Sequence, residues 1–563
     1  MQEIFKSFSR VLVVSLSLVA SPSIVALGQA LQEEPEPGTF ATNELFELNE
    51  APQVEASQET RPPDVEPDGD GYTDKEREEA AAGALADRRA EAPDQVLTFD
   101  ADTPPPQAEG PVGDTVAVVR SFAGIDFSMS GRPIPDVSIA RSPNRILQAT
   151  NAMLRLTDTG GAVISQMSTD TFFGLTGLKA GTTDPKVYFD ALGTTKVFVI
   201  AVMGKGTPKK LHIAVSRNPD PTNLLAPESW CRFSLDHPAI VPQVGADYPN
   251  LGAGSEHLIL TSNHFAGSGG GTLVRLIAKN ILYINPPTCR TSVPLTALFP
   301  APSGLTLDVN LRTLQPVQSV IAPTPVGGVV PFGYLVSALE YGTYGYRVWS
   351  IQRNSTGALV LLPSAPVLAS KMYLAPPPAP QPPNSATYTL DPGDGRILQA
   401  VGVGNSIWFS QTTGCNNSGT GVNESCANAM QLNVVPGASM PSASFGQQYM
   451  IGAGTGVSIW QPSIAITPTA HVALMYHQGS KDLAMSLGLA VKRASTTIFK
   501  ALPLERGACN KIGSQIRTGD YLGAQGDPSG ATFWLAGEKL VNFGPDPQHL
   551  TCQWTTFVKE VRP

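Results

Sequence analysis

DPKVYFDALGTTKVFVIAVMGKGTPKKLHIAVS, residues 184–216, contains three runs rich in β-branched and aromatic residues, at Lys186–Phe189, Lys196–Met203 and Leu211–Val215. Gly, Pro, Asn and Asp punctuate them. Short branched runs broken at this spacing read as antiparallel strands joined by turns, because such side chains fit a pleated surface and the punctuating residues supply turn geometry. The same texture recurs at Thr115–Val119, Leu258–Leu260, Tyr334–Leu339, Ser406–Phe409 and Val472–Tyr476. No helical period separates these runs, so the fold class is all-β: sandwich, barrel or propeller.

Length and composition narrow the choice. Of 563 residues, 53 are Gly and 50 are Pro, which favours many short strands over long helices. The body from Gly113 to Pro563 exceeds an ordinary single sandwich, which leaves tandem sandwiches or a radial repeat. An internal echo favours the repeat: Arg145-Ile146-Leu147-Gln148-Ala149 recurs as Arg396-Ile397-Leu398-Gln399-Ala400, 251 residues on. If the offset spans four blades, the body is a single β-propeller of about seven blades, with six the neighbouring count. The run Ala375–Pro383, with six prolines, then reads as an extended interblade loop.

Ahead of the body lie two segments of different character. Residues 1–30 read as a signal peptide, with Lys6 and Arg10 before an apolar stretch and small residues at Gly28 and Ala30. This predicts a secreted, periplasmic or cell-surface protein with no transmembrane segment in the mature chain. Residues 31–112 carry 22 acidic against 5 basic side chains, a balance of −17, and are predicted to be a disordered Pro-rich extension. The body is about +7, so the net charge of −9 hides two parts of opposite sign. A specific nucleic-acid partner is not indicated. Six cysteines in an exported chain, none in a Cys-x-x-Cys pair, predict three disulfides. Sequential pairing, Cys231–Cys289, Cys415–Cys426 and Cys509–Cys552, would staple neighbouring strands.

Within the extension, the island at 66–78 alternates acidic residues and follows them with a turn-forming Gly. Its residues Asp68-Gly69-Asp70-Gly71-Tyr72-Thr73-Asp74-Lys75-Glu76 resemble a thrombospondin type 3 or dockerin-like calcium loop. The resemblance implies Glu66, Asp68, Asp70 and Asp74 as ligands, with the Tyr72 carbonyl, and calcium as the cofactor. Arg77 stands where an EF-hand has its bidentate Glu.

In the body, Asp184-Pro185-Lys186-Val187-Tyr188-Phe189-Asp190, Tyr248-Pro249-Asn250-Leu251-Gly252 and Arg517-Thr518-Gly519-Asp520-Tyr521 are similar to blade pieces of secreted sialidase-like β-propeller proteins. The resemblance implies architecture more than activity. Sialidase chemistry needs converging arginines, a Tyr nucleophile and an acid/base carboxylate, with Ser-x-Asp-x-Gly-x-x-Trp boxes that this chain lacks. Zinc, nucleophile-elbow and phosphate-loop motifs are missing from the sequence, and the seven histidines are scattered. The leading expectation is a non-catalytic binding propeller for an extracellular ligand or surface partner, carbohydrate among them. An extracellular glycosidase-like hydrolase and a structural or adhesive surface protein are the alternatives. Charged and tyrosine side chains converging at one channel mouth would favour the enzyme.

Overall fold

A blade packed between two others buries both faces of its middle strands, so those strands need not alternate. Val197–Gly204 and Val472–Ser480 are buried at every position. In the computed structural model, residues 42–45, 93–97 and, with short gaps, 116–563 are described. Antiparallel sheets follow one another along the chain: blade 1 spans 138–168, blade 2 182–235, blade 3 246–298, blade 4 315–368, blade 5 397–452 and blade 6 457–505. Blade 7 is built from both ends of the chain. Its three inner strands are Gly523–Gly526, Phe533–Phe543 and Thr551–Arg562, and its outer strand is Ala117–Asp126, paired antiparallel with Thr551–Arg562.

The first strands of the blades form a closed ring, each touching the next, from Ser138–Arg141 round to Gly523–Gly526 and back. In places they approach closely enough to bond in parallel, as Ala253 with Gln318 and Val317 with Ala400. The apolar core is divided into wedges, one between each pair of neighbouring blades. Phe172, Phe198 and Trp230 fill the wedge between blades 1 and 2, and Phe409, Tyr346 and Met430 that between blades 4 and 5. Val137, Ile146, Trp534 and Val558 seal blade 7 against blade 1. The architecture is a seven-bladed β-propeller.

The blade count agrees with the sequence expectation, but the echo behind it does not mark a true repeat. Arg145–Thr150 is the second strand of blade 1, whereas Ile397–Val403 is the first strand of blade 5. The two Gln residues accordingly do different work: Gln148 bonds Thr556 in blade 7, while Gln399 bonds the Ala524 carbonyl beside the channel.

Three disulfides join Cys231 to Cys289, Cys415 to Cys426 and Cys509 to Cys552, the sequential arrangement. The first ties blade 2 to blade 3, the second closes a hairpin of blade 5, and the third ties the last strand to the chain leaving blade 6. Two pieces of the acidic extension add strands to blade edges. Thr42–Leu45 pairs antiparallel with Pro294–Leu298, and Gln95–Val96 pairs parallel with Ile451 and Gly452. Asp94 fixes the second piece by accepting from the Met450 amide (2.9 Å) and pairing with Lys371 (3.0 Å). Among the described residues, no helix is long and apolar enough to cross a membrane.

Two predictions follow from this packing. A chain ending at Phe543 loses the strand that bonds both neighbours in blade 7, so it should lack cooperative unfolding in near-UV circular dichroism; a sharp transition would show that the ring closes without it. Burial pushes His212 and His257 down to about 4 each, with Lys210 adding at the first and Arg353 and Lys279 at the second. The unfolded chain therefore binds more protons between about pH 6.5 and 4, and their contribution to stability, complete above that window, is lost as pH falls through it. The double variant His212→Gln/His257→Gln should lose less stability than wild type between pH 6.5 and 4; parallel curves would contradict the assignment.

Candidate functional site

Four non-glycine residues take a left-handed backbone at one end of the channel: Asp136, Asp184, Tyr248 and Gln461, with φ between 46° and 53°. Such conformations are costly for residues with a Cβ and persist where surrounding structure imposes them. At three of these positions the next residue is proline, and each Xaa-Pro step sits in a β-bulge of a first strand, between Thr183 and Lys186, Asp247 and Asn250, and Trp460 and Ser463. A bulge re-aims side chains and ends regular pairing. Six of the seven blades thereby send polar side chains to one mouth: Asp136 from blade 1, Asp184 and Lys186 from blade 2, Tyr248 from blade 3, Asp394 and Arg396 before blade 5, Gln461 from blade 6, and Arg517, Asp520, Tyr521 and Glu538 from blade 7. A small sheet of Ala379–Pro380, Thr389–Asp391 and Ile516–Arg517 holds the approaches to blades 5 and 7 side by side.

The centre of the cluster is acidic and buried. Carboxylate oxygens of Asp136, Asp184 and Asp520 lie within 4.8 Å of one another, with Asp136 2% and Asp184 6% exposed. Asp136 accepts from the Asp520 amide (2.6 Å) and from Asn151 Nδ2 (2.6 Å), and Asp184 accepts from the Tyr248 amide (3.3 Å). Burial, then the neighbouring Asp520 carboxylate, pushes the Asp136 carboxyl up to about 7. Burial also raises Asp184 well above the carboxylate range, with Asp247, Asp136 and Asp520 adding to it. Burial opposes ionisation of Asp520 as well, but Arg517 and Arg396 outweigh it and hold that carboxyl below its usual value.

Around this centre the cations are unequal. Arg396 makes a two-pronged pair with Asp394 (2.7 and 2.9 Å from Nε) and lies over the Tyr248 ring at 4.5 Å; Arg517 pairs with Asp520. Both pairs are partly exposed at the rim. Lys186 makes no hydrogen bond or ion pair among the described residues. Its Nζ sits over the Tyr521 ring at 2.8 Å and beside that of Tyr248 at 5.1 Å, and burial lowers it to about 7 against the pull of Asp136, Asp184 and Asp520. The Tyr521 hydroxyl donates to the Pro185 carbonyl (3.0 Å), whereas the Tyr248 hydroxyl, in a side chain 1% exposed, has no hydrogen-bond partner among the described residues. Below the cluster, Lys186, Gln318, Gln399 and Tyr521 line a cavity of about 20 Å³, room for about one water molecule.

A second layer supports the first. Gln461 donates to the Gly519 carbonyl and meets His477 Nδ1 through its own oxygen (3.0 Å); His477 Nε2 lies 3.1 Å from Glu538 Oε1, both side chains fully buried. Gly519, at φ 134°, passes between: a Cβ there would sit 3.4 Å from Asp136 Oδ1 and 3.5 Å from Glu538 Oε1.

The calcium-loop residues Glu66, Asp68, Asp70, Tyr72 and Asp74 lie outside the described residues, as does the leader at 1–30. The three body fragments singled out in the sequence do come together, since Asp184, Lys186, Tyr248, Arg517, Asp520 and Tyr521 all reach this mouth. Asp136, Arg396 and His477 were missed. The sequence did offer one signal for the mouth, the recurrence of an Xaa-Pro step at Asp184-Pro185, Tyr248-Pro249 and Gln461-Pro462 in the first strands of blades 2, 3 and 6, but it does not mark these three residues.

No family model and no curated protein matches the sequence, so the sialidase-like and calcium-loop resemblances gain no support at the family level. Among solved structures, the chain is similar to Drosophila Plexin A in complex with Semaphorin 1b (8% identity, 81% of this chain and 88% of that one, TM-score 0.31). It is also similar to the WD40 domain of SCAP from fission yeast (9% identity, 75% and 81%, TM-score 0.30) and to the Bombyx mori GH32 β-fructofuranosidase BmSUC1 (9% identity, 80% and 80%, TM-score 0.22). The ring of seven blades rests on the chain's own strand pairing.

The network makes a quantitative prediction. Asp136→Ala removes two bonds to a carboxylate, so it should cost about 3 kcal/mol in urea unfolding. Adding Asn151→Ala should cost less than the sum of the single losses, because the two share a bond; strict additivity would contradict the coupling.

Proposed function

We propose that this is a binding propeller that takes a carbohydrate or similar polyol ligand at the mouth where the six blades converge. The supporting observation is the rim itself. Asp394 with Arg396, and Arg517 with Asp520, present planar donors and acceptors partly open to solvent, and Asp520 joins this rim to the buried Asp136 and Asp184 carboxylates. Sites for small polar molecules combine a few convergent polar groups in this way on a rigid scaffold. The aromatic faces of Tyr248 and Tyr521 lie behind them. Export, read from residues 1–30 and in keeping with the three disulfides, would put the mouth in contact with extracellular glycans.

Two observations favour a hydrolase at the same place, the first being that charged and tyrosine side chains converge at one mouth, the arrangement the sequence set as the mark of an enzyme. The second is that the Asp136 and Asp520 carboxylates approach within 4.8 Å, near the separation of about 5 Å used by paired carboxyls in retaining glycosidases. Turnover separates the two readings.

The full chain is to be tested on an array of neutral and acidic glycans and on a panel of polysaccharides. The binding reading expects retention of a defined glycan class, no release of reducing ends, and affinity reduced tenfold or more by Arg517→Lys with the unfolding midpoint held. Hydrolysis that Asp520→Asn abolishes would replace it with the enzyme reading, and an array with no retained glycan would remove it.

A further inference from the structure

The mouth carries more acidic than basic side chains. Asp136, Asp184, Asp247, Asp394 and Asp520 interact there with Lys186, Arg396 and Arg517, five aspartates besides Glu538 against three bases. Four of the five aspartates are placed by geometry already described, and Lys186 does not pair with any of them. Its ammonium lies on tyrosine faces instead. Each of the three central carboxylates has lone pairs beyond the hydrogen bonds it accepts.

Two further buried atoms lack hydrogen-bond partners among the described residues. Among the described residues the Tyr248 hydroxyl is buried without a hydrogen bond, in a phenol whose charged neighbours are Arg396 first and then Asp520, Asp394 and Asp136. Glu538 Oε2, in a side chain 0% exposed, likewise has no donor among the described residues, and a Cβ on Gly519 would meet both this carboxylate and that of Asp136. Buried oxygens of this kind call for a water or an ion. An all-oxygen donor set selects a hard cation. Opposed ligands around Ca²⁺, at about 2.3–2.6 Å each, stand up to about 5 Å apart, whereas those around Mg²⁺ stand about 4 Å apart. The oxygens of the three aspartates lie within 4.8 Å of one another, a reach that accommodates Ca²⁺.

We propose that the mouth of the propeller is a Ca²⁺ site formed by the carboxylates of Asp136, Asp184 and Asp520, with the Tyr248 hydroxyl beside the ion and Glu538 behind it. This site is separate from the calcium-loop-like island of the extension. It does not depend on which ligand the mouth takes.

The experiment uses the full chain carrying Asp68→Asn, Asp70→Asn and Asp74→Asn, so that the island contributes nothing. After chelation, Ca²⁺ is titrated by calorimetry and the unfolding midpoint is followed with and without the ion. One Ca²⁺ per chain and a raised midpoint are expected, with Tb³⁺ showing luminescence on excitation of tyrosine. Adding Asp184→Asn should weaken binding tenfold or more, and Tyr248→Phe severalfold with the fold intact, which keeps the test open if the Asp184 variant fails to fold. No heat and no midpoint shift at millimolar Ca²⁺ would overturn the proposal, as would affinity unchanged in Tyr248→Phe and Asp184→Asn alike. Ca²⁺ binding without glycan retention would support the ion site and count only against the glycan reading.

Discussion

Seven first strands must meet around one axis, and the circle they form is closed by pairing a strand from near the start of the chain with the last one. Everything at the mouth depends on that closure. Ala117–Asp126 holds Thr551–Arg562 from outside, Thr551–Arg562 holds Phe533–Phe543, and through it the short Gly523–Gly526 strand that follows Asp520 and Tyr521. Because each wedge of apolar core lies between two blades, displacement of one blade disturbs two wedges and the ring contacts between them. A rigid ring is what permits residues scattered over nearly 400 positions, from Asp136 to Asp520, to be placed within one hydrogen bond of each other.

Convergence at an axis also creates the electrostatic problem that defines the site. Left-handed turns at Asp136, Asp184, Tyr248 and Gln461 direct side chains inward, where little water accompanies them. Carboxylates gathered in such a place either take up protons or acquire a cation. The arginines are committed to their own aspartates, and the lysine lies on aromatic rings. The surplus of carboxyl groups is the property from which both the ligand reading and the ion reading descend.

Much of the fold was legible in the sequence, for identifiable reasons. Branched runs such as Lys196–Met203 and Val472–Tyr476 are strands because both their faces are covered, and the sequential cysteines pair because neighbouring blades are neighbours in space. The Arg-Ile-Leu-Gln-Ala echo misled in detail: strand one and strand two of a blade share the same apolar demands, so five matching residues cannot distinguish them. Of the site, Asp184, Tyr248, Arg517 and Asp520 lay within fragments that stood out, but nothing local showed that they converge. Asp136 sits in unremarkable sequence and Arg396 opens the echo that was read as a repeat, and both acquire their role only from the closing of the ring. His477 at a central strand position reads as an ordinary core histidine until Gln461 and Glu538 are placed on either side of it.

The central claim is that the mouth is a built cation site and not merely a buried acidic knot. Anomalous diffraction from crystals of the full chain soaked in terbium tests it directly, because it locates the ion without reference to affinity or turnover. The account predicts a strong peak bounded by Asp136, Asp184 and Asp520 with the Tyr248 hydroxyl alongside. Peaks confined to the extension or the outer surface, with ordinary water among the three aspartates, would contradict it.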